Sequence, residues 1–361
     1  MNAGPGPLTV GVEEEYLLLD PATGENVSLV EQVLAKLPDE LGPQTRLEFR
    51  HSMAEMVTVP TVELADVREQ LRVIRAAVGA AAATAGALAV AVGATPVAEA
   101  DRRPTDDARF AAIARHYGPI AHDPAVCGCH VHVGVPSRAA AIDVCRRIRP
   151  WLPVVQALAA NSPLHAGADT GYAGWRSVQL DRWPSLGPTP HFDSVAEYDD
   201  AVAALVASGA MLDASMVLWH ARPSTAYPTV EIRVADTCAT VEDAVVVTGL
   251  VRGLVATALA STAEPVARVA DHLLRAAHWN AAHTGVGDTL LDPRTGHPRP
   301  AWSLVDELVE VVEPGLRAHG DLEDVRAGLE RLRRVGSGAD RQRRTLARTG
   351  SIPAVLAELA L

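Results

Sequence analysis

Positive charge is in short supply in this sequence. Against 44 aspartates and glutamates stand 32 lysines and arginines, which leaves a formal net charge of −12. The one basic stretch, LRRVGSGADRQRRTLART near the C-terminus, is short and reads as a solvated helical face with a loop. Nucleic acid is therefore a poor partner, because gripping a phosphate backbone takes clustered Lys and Arg. An anionic small molecule stays open, provided a metal or a local group of arginines faces it. Aromatic residues make up only 4% of the chain, so alanine and the aliphatics must fill the core. The 361 residues are ample for one core, and a single domain over residues 1–361 is expected.

Other absences narrow the class further. The opening MNAGPGPLTVGVEEEY has neither a basic n-region nor an apolar centre, so no secretion signal is expected. Residues Ala76 to Ala98 carry no charge, but alanine, glycine and threonine dominate them. They read as a buried helix leading into a strand rather than a membrane span. The four cysteines are Cys127, Cys129, Cys145 and Cys238. Cys-x-Cys is the wrong spacing for a redox turn, and these residues are expected as small, reduced core residues of a cytoplasmic protein. No G-x-x-x-x-G-K-[ST] loop occurs, no dinucleotide fingerprint, and no Ser-His-Asp or Cys-His signature.

What is present is a mixture of strand and helix patterns without βαβ alternation. Strands are expected in LTVGVEEEYLLLD, in TRLEFRHSMAEMVTVP (one or two), in ALAVAVGATP, in CGCHVHVGV, and as a pair around the turn of MVLWHARPSTAYPTVEIRVAD. Helices are expected in NVSLVEQVLAKLP, from Glu63 to about Ala85, in DARFAAIARHYG, from Arg138 to Ala160, from Ser194 to Ser208, and through most of the chain after Val241. Ser137 caps the Arg138 helix, and Pro150 and Pro153 must kink or divide it. Asn161 to Asp193, rich in Gly, Pro and Trp, reads as a long ordered loop, and such loops inside compact domains usually carry function. The class is α+β with a largely antiparallel sheet.

Four segments carry the chemistry. Side chains two apart on a strand share a face. In GVEEEY, Glu13 and Glu15 therefore face one way and Glu14 the other; in CHVHV, His130 and His132 share a face; in TVEIRVAD, Glu231 and Arg233 do. LEFRHSMAEMVT adds Glu48 and Glu55. Same-face carboxylates repel unless cations neutralise them, which suggests Mg²⁺ or Mn²⁺ on oxygen ligands. Each motif has a plainer alternative: a solvated acidic edge strand, a cross-strand ion pair, a satisfied core histidine. A zinc hydrolase built on the His-x-His strand would want more histidines or an aspartate, whereas the other strand-borne candidates are glutamates and an arginine. Glutamates holding a metal beside an arginine holding phosphate suit ATP chemistry without a P-loop.

The segments GVEEEY, SMAEMVT, HVHVGV, NSPLHAGADTGYAGWRS and ARPSTAYPTVEIRVADT, in this order, resemble the type 2 glutamate–cysteine ligase family, also called the carboxylate–amine ligases; the resemblance runs from about Thr9 to Leu361. It implies a fold of the glutamine synthetase and guanido kinase group, a curved, mostly antiparallel sheet with helices on its outer face. It implies ATP and Mg²⁺ on the concave face, an acyl phosphate, and an amide product from small-molecule carboxylate and amine substrates, in a homodimer. By this resemblance Glu13, Glu15, Glu55 and Glu231 are metal ligands and Glu48 is the less secure partner of Glu55. His130 sits beside a metal and the γ-phosphate, while His132 faces nucleotide or substrate. Arg233 contacts the transferred phosphoryl group, and Arg176 and Arg222 contact phosphate or substrate carboxylate. Asn161 to Pro190 is the expected lid. The sequence departs from the family at Asn280 and His283, where arginines are common, and at His220, where aspartate is usual, with Arg275 nearby. The departures question glutamate and cysteine as substrates more than ATP, and admit a neutral or aromatic acid, or another amine. The remaining alternatives are a protein that kept the fold and lost the chemistry, and a metal-dependent hydrolase.

Overall fold

The computed structural model describes residues 7–262 and 264–361. Residues 1–6, which open both the stretch read above as lacking a secretion signal and the expected single domain, lie outside the described residues. Seven strands form the main sheet: β1 (Val10–Leu19), β2 (Thr45–Arg46), β3 (Met53–Val57), β4 (Leu88–Val90), β5 (Gly128–Gly134), β6 (Ala221–Pro223) and β7 (Thr229–Asp236). Their order is β6-β7-β5-β1-β3-β2, with β4 beside the C-terminal end of β1, and every pairing is antiparallel. The long-range strand order explains why no βαβ rhythm is visible in the sequence.

The alternation within each strand sorts residues to two faces. Val10, Val12, Val131, Val133, Val230 and Ile232 go to the back and are buried. Helices Arg138–Ile148 and Val241–Ala260 cover that side, and Leu64–Thr84 covers the neighbouring patch of Tyr16, Leu18, Ala54 and Met56. Helices Ala301–Ala318 and Leu322–Val335 pack behind Val241–Ala260. Glu14 also points back. It is fully buried, and its carboxylate takes Arg75 Nε at 2.9 Å, Arg75 Nη2 at 2.6 Å and the Tyr16 hydroxyl at 2.7 Å. The middle acid of EEE is thus an internal ion pair, apart from its neighbours.

Several local expectations meet a specific structural outcome. Ser137 Oγ accepts from Ala140 N at 3.1 Å, and the long helix divides into Arg138–Ile148 and Leu152–Leu158 at the prolines. The Asn161–Asp193 loop contains a short helix, Trp175–Leu180, that buries Arg176 and Gln179. A hairpin, Thr289–Asp292 with His297–Pro300, interrupts the helical C-terminal part. The basic stretch is ion-paired rather than merely solvated: Arg341 meets Asp243, together with Arg331 just ahead of the stretch, Arg343 meets Asp169 and Arg333 meets Asp306. All four cysteines are buried and free. Among the described residues one helix, Val241–Ala260, is long and apolar enough to cross a membrane, but 78% of its apolar stretch is already buried against the rest of the chain.

Candidate active site

The front of the sheet carries the polar residues, and the register brings them together. Antiparallel pairing sets Glu13 opposite His130, Glu15 opposite Glu55, His132 opposite Glu231, and Arg222 opposite Glu231. Directly opposed residues lie on one face with close Cβ atoms. Residues from five strands therefore form a continuous polar band. A bulge in β7 between Ile232 and Ala235 breaks the ladder beside Arg233, as bulges do where a side chain is re-aimed.

Two triads of possible ligands stand out in this band. Glu13, His132 and Glu231 form one; Glu15, Glu48 and Glu55 form the other; within each, the ligand atoms lie within 4.8 Å of one another. His132 Nε2 is 3.2 Å from Glu13 Oε1, and His130 Nδ1 is 3.3 Å from Glu13 Oε2. His132 Nδ1 meets Thr229 Oγ1 at 3.0 Å. Glu231 receives Arg222 Nε at 2.8 Å and also Arg233. Gly128 N donates to Glu15 Oε2 at 2.6 Å. Arg176 reaches the carbonyl of Arg233 at 3.4 Å, and its buried Nε has no hydrogen-bond partner among the described residues. The register places His132, rather than His130, opposite Glu231. His130 lies between the triads, with its Nε2 buried and without a hydrogen-bond partner among the described residues.

The two triads differ electrostatically. Burial works against a charged Glu13, but hydrogen bonds from His130 and His132 outweigh it and hold its carboxyl well below the usual range. Glu231 behaves alike: burial opposes its charge, and Arg233 and Arg222 hold it low. In the other triad no cation is close enough to win. Burial and the neighbouring Glu48 push Glu15 up to about 8, and burial with Glu48 and Glu15 pushes Glu55 well above the carboxylate range. Burial and Arg233 depress His130 to about 4, so it is neutral at pH 7. A neutral His130 donating from Nδ1 to Glu13 leaves Nε2 as an acceptor.

These residues fit hard divalent cations. Three crowded carboxylates, two of them with raised affinity for protons, are an anionic seat that a divalent ion would relieve. Five carboxylates and two imidazoles are the donor set of Mg²⁺ or Mn²⁺ rather than of a soft metal.

The band lines two adjoining cavities. The smaller, about 280 Å³, is walled by both triads, by Arg222 and Arg233, and by the Ser224–Tyr227 turn between β6 and β7. The larger, about 620 Å³, is bounded on one side by Glu15, Glu48, His130 and Arg233, which it shares with the first. Beyond them it is lined by Arg176, His220, Arg275 and many apolar side chains. Helix Trp175–Leu180 and residues Asp181 to Pro188 form part of this wall, so the segment expected as a lid borders the larger cavity.

The three departures have defined surroundings. Asn280 Oδ1 accepts from Leu291 N at 2.7 Å, a structural cap on the hairpin. His283 stacks on Trp279, with centroids 5.2 Å apart and planes 7° apart. His220 Nδ1 is 3.1 Å from His278 Nε2, and His278 Nδ1 is 2.6 Å from Gln156 Oε1. Burial, then Arg176 and Arg275, depress His220 to about 3. This His–His–Gln chain, and the role of Phe49, Phe110 and Trp183 in the larger cavity, escaped sequence reading; no spacing links residues so far apart.

A family model described as glutamate–cysteine ligase family 2 matches residues 9–358. A Salinispora tropica protein, provisionally named glutamate–cysteine ligase 2, is 57% identical over 356 residues, covering 98% of this chain and 94% of the relative. The crystal structure of a Francisella tularensis glutamate–cysteine ligase in complex with AMP superposes with a TM-score of 0.73 at 11% identity, covering 98% of this chain and 88% of that one. A bifunctional glutathione synthetase of Pasteurella multocida gives a TM-score of 0.70 at 15% identity, over 98% of this chain and 51% of that one. At such identities the two structures speak for the fold, which they share with this chain.

Proposed function

Because the chain belongs to glutamate–cysteine ligase family 2, we propose that it is an ATP-dependent ligase that joins a carboxylate to an amine through an acyl phosphate. The observation that carries the reading is the wall between the two cavities, where Glu15, Glu48, His130 and Arg233 face both. The smaller, carboxylate-lined cavity suits a triphosphate carried on divalent cations. The larger suits the molecules to be joined.

In this reading a carboxylate oxygen attacks the γ-phosphorus, the bond to the β-phosphate oxygen breaks, and ADP leaves. The amine nitrogen then attacks the acyl carbon, the bond to phosphate oxygen breaks, and phosphate leaves with the ammonium proton passing to solvent. Such chemistry asks little covalent work of the protein and much positioning of charge. Glu13, His132 and Glu231 would hold one Mg²⁺ and Glu15, Glu48 and Glu55 another, with His130 Nε2 free to join either. When bound, these ions neutralise phosphate charge and fix the terminal phosphate for in-line attack. Arg233, anchored by Glu231, sets a fixed cation at the wall. Arg222 pins Glu231 from the next strand. Arg176, with Nε unspent, is placed for the acid's carboxylate. No side chain is needed as a nucleophile. A homodimer in the cytoplasm belongs to the same reading.

Isotope transfer tests the acyl phosphate. With an ¹⁸O-labelled carboxylate substrate, one label should appear in the released phosphate and ADP should form in step with amide. Amide formation without label transfer would exclude the acyl phosphate.

A further inference from the structure

The larger cavity is unlike a site for a small charged acid. Four of its charged residues, Glu15, Glu48, Arg176 and Arg233, stand at or beside the wall shared with the smaller cavity. Arg275 stands beside His220. Phe49, Phe110, Ile113, Trp183, Leu186 and Met216 form an apolar part of the lining, which meets the wall where Phe49 N donates to Glu48 Oε1 at 2.7 Å. Phe49 and Phe110 pack edge to face with centroids 5.4 Å apart, and Ile113 and Met216 belong to a buried apolar cluster behind them. Arg50 also borders the cavity, but its guanidinium is spent on the carbonyls of Arg102, Ala121 and Asp123. Asp123 is paired with Arg182. Those two charges are therefore already met within the protein, and the exposed Asp181 is the other charge in this part of the lining. At the mouth, Trp279 is 55% exposed and stacked on His283, so an aromatic plane borders the entrance.

From this polarity we propose that the acid activated here has an apolar, aromatic-sized body, with its carboxylate beside Arg176 and Arg233 and its body against Phe49, Phe110, Ile113, Trp183 and Met216. The proposal rests on the ligase reading, which sends the nucleotide to the smaller cavity and the acid to the larger. A volume of about 620 Å³ exceeds the needs of a short diacid. It falls in the range, roughly 300–1,000 Å³, of pockets that enclose ligands with substantial apolar surface. A short, doubly charged acid would leave the apolar part filled with water. An aromatic body would displace that water and gain contact along the whole wall.

Hydroxylamine in place of the amine separates this question from the amine's identity, since it traps any acyl phosphate as a hydroxamate. The full chain is given ATP, Mg²⁺ and either 3-phenylpropionate or glutamate, and hydroxamate and ADP are measured. The expected result is a kcat/KM for 3-phenylpropionate about tenfold or more above that for glutamate. In Phe110→Ala and Trp183→Ala, each checked by its melting temperature, KM for 3-phenylpropionate should rise about tenfold. Equal or better use of glutamate overturns the proposal and leaves the ligase reading standing. If neither acid gives hydroxamate or ADP, the ligase reading falls with these substrates. Calorimetry then decides the pocket's class: 3-phenylpropionate binding about tenfold tighter than glutamate upholds it, and equal or weaker binding overturns it.

Discussion

Glu231 and Arg233 are two residues apart on β7 and meet head to head on the front of the sheet. Replacing Glu231 with Gln keeps the shape but removes the charge that anchors both Arg222 and Arg233. Replacing Arg233 with Ala removes a cation from the shared wall. Either change should lower the rate of ADP formation about 10²–10³-fold, the usual loss when one preorganised charge is removed, while melting temperature stays within a few degrees of wild type. Steady-state ADP release and thermal unfolding together check this; wild-type turnover in either variant would remove β7 from the chemistry. A second outcome concerns protons. Glu15, raised to about 8 by burial and Glu48, keeps its proton in the folded protein where the unfolded chain has released it near 4.5. Between those values the folded state binds more protons, so stability falls as pH rises, and it levels off above about 8. In EDTA, melting temperature should therefore decline from pH 5 to 8. Saturating Mg²⁺, which takes the proton's place, should flatten or reverse the slope. A flat profile in EDTA would mean that Glu15 is not held in a dry carboxylate cluster. At this scale the sequence was informative where strand period applies: i and i+2 spacing selected Glu13, Glu15, Glu231 and Arg233. Period alone could not rank His130 against His132, since it places both on one face; the family resemblance set His130 beside the metal, whereas register puts His132 opposite Glu231 and in the triad with Glu13. Glu48 was uncertain because it lies on an irregular segment where no period fixes its direction.

Elements were most legible where an apolar stripe or a cap is local. Leu64–Thr84, Val195–Ala207 and the divided helix after Ser137 all follow from signals within a few residues. The Thr289–Asp292 and His297–Pro300 hairpin was hidden because its second strand contains two prolines and little apolar alternation. The Asn161–Asp193 segment hid its short helix for a related reason: Trp175–Leu180 is too brief for a helical period to register. What matters about that segment is its position. Its helix and the residues after it wall the larger cavity, and Arg182 stands exposed at its outer edge. A ligand filling the cavity would press on this wall and hold it closed, which also shields an acyl phosphate from water. Trypsin cleavage after Arg182 should therefore slow when Mg²⁺, a non-hydrolysable ATP analogue and an acid substrate are present together. Mass spectrometry of the first fragments reads this directly, and equal cleavage rates would show that the segment is a fixed wall and not a lid.

Across the whole molecule the sheet's front face can hold so many charges because its back is anchored elsewhere. Helix Val241–Ala260 lies at the centre of that support, touching Leu64–Thr84, Arg138–Ile148, Ala301–Ala318 and Leu322–Val335. In its middle sits Arg252, fully buried, with Nε 2.8 Å from Asp321 Oδ2 and further bonds to the carbonyls of Val62 and Leu8. One guanidinium thus links the entrance to β1, the start of the helix at Leu64 and the C-terminal helices. Burial pushes the Asp321 carboxyl up even against the pull of Arg252, so the pair is expensive to bury and intolerant of losing a member. Arg252→Leu should destabilise the fold by about 3–5 kcal/mol, because it strands Asp321 in an apolar interior. Replacing both partners, Arg252→Leu with Asp321→Leu, should recover most of that loss, since a well-packed apolar pair of similar volume avoids the desolvation of two charges. Urea unfolding of the two variants decides it. Were the double variant no more stable than the single one, the arginine's bonds to Val62 and Leu8, rather than its charge pairing, would be what holds the sheet to its supporting helices.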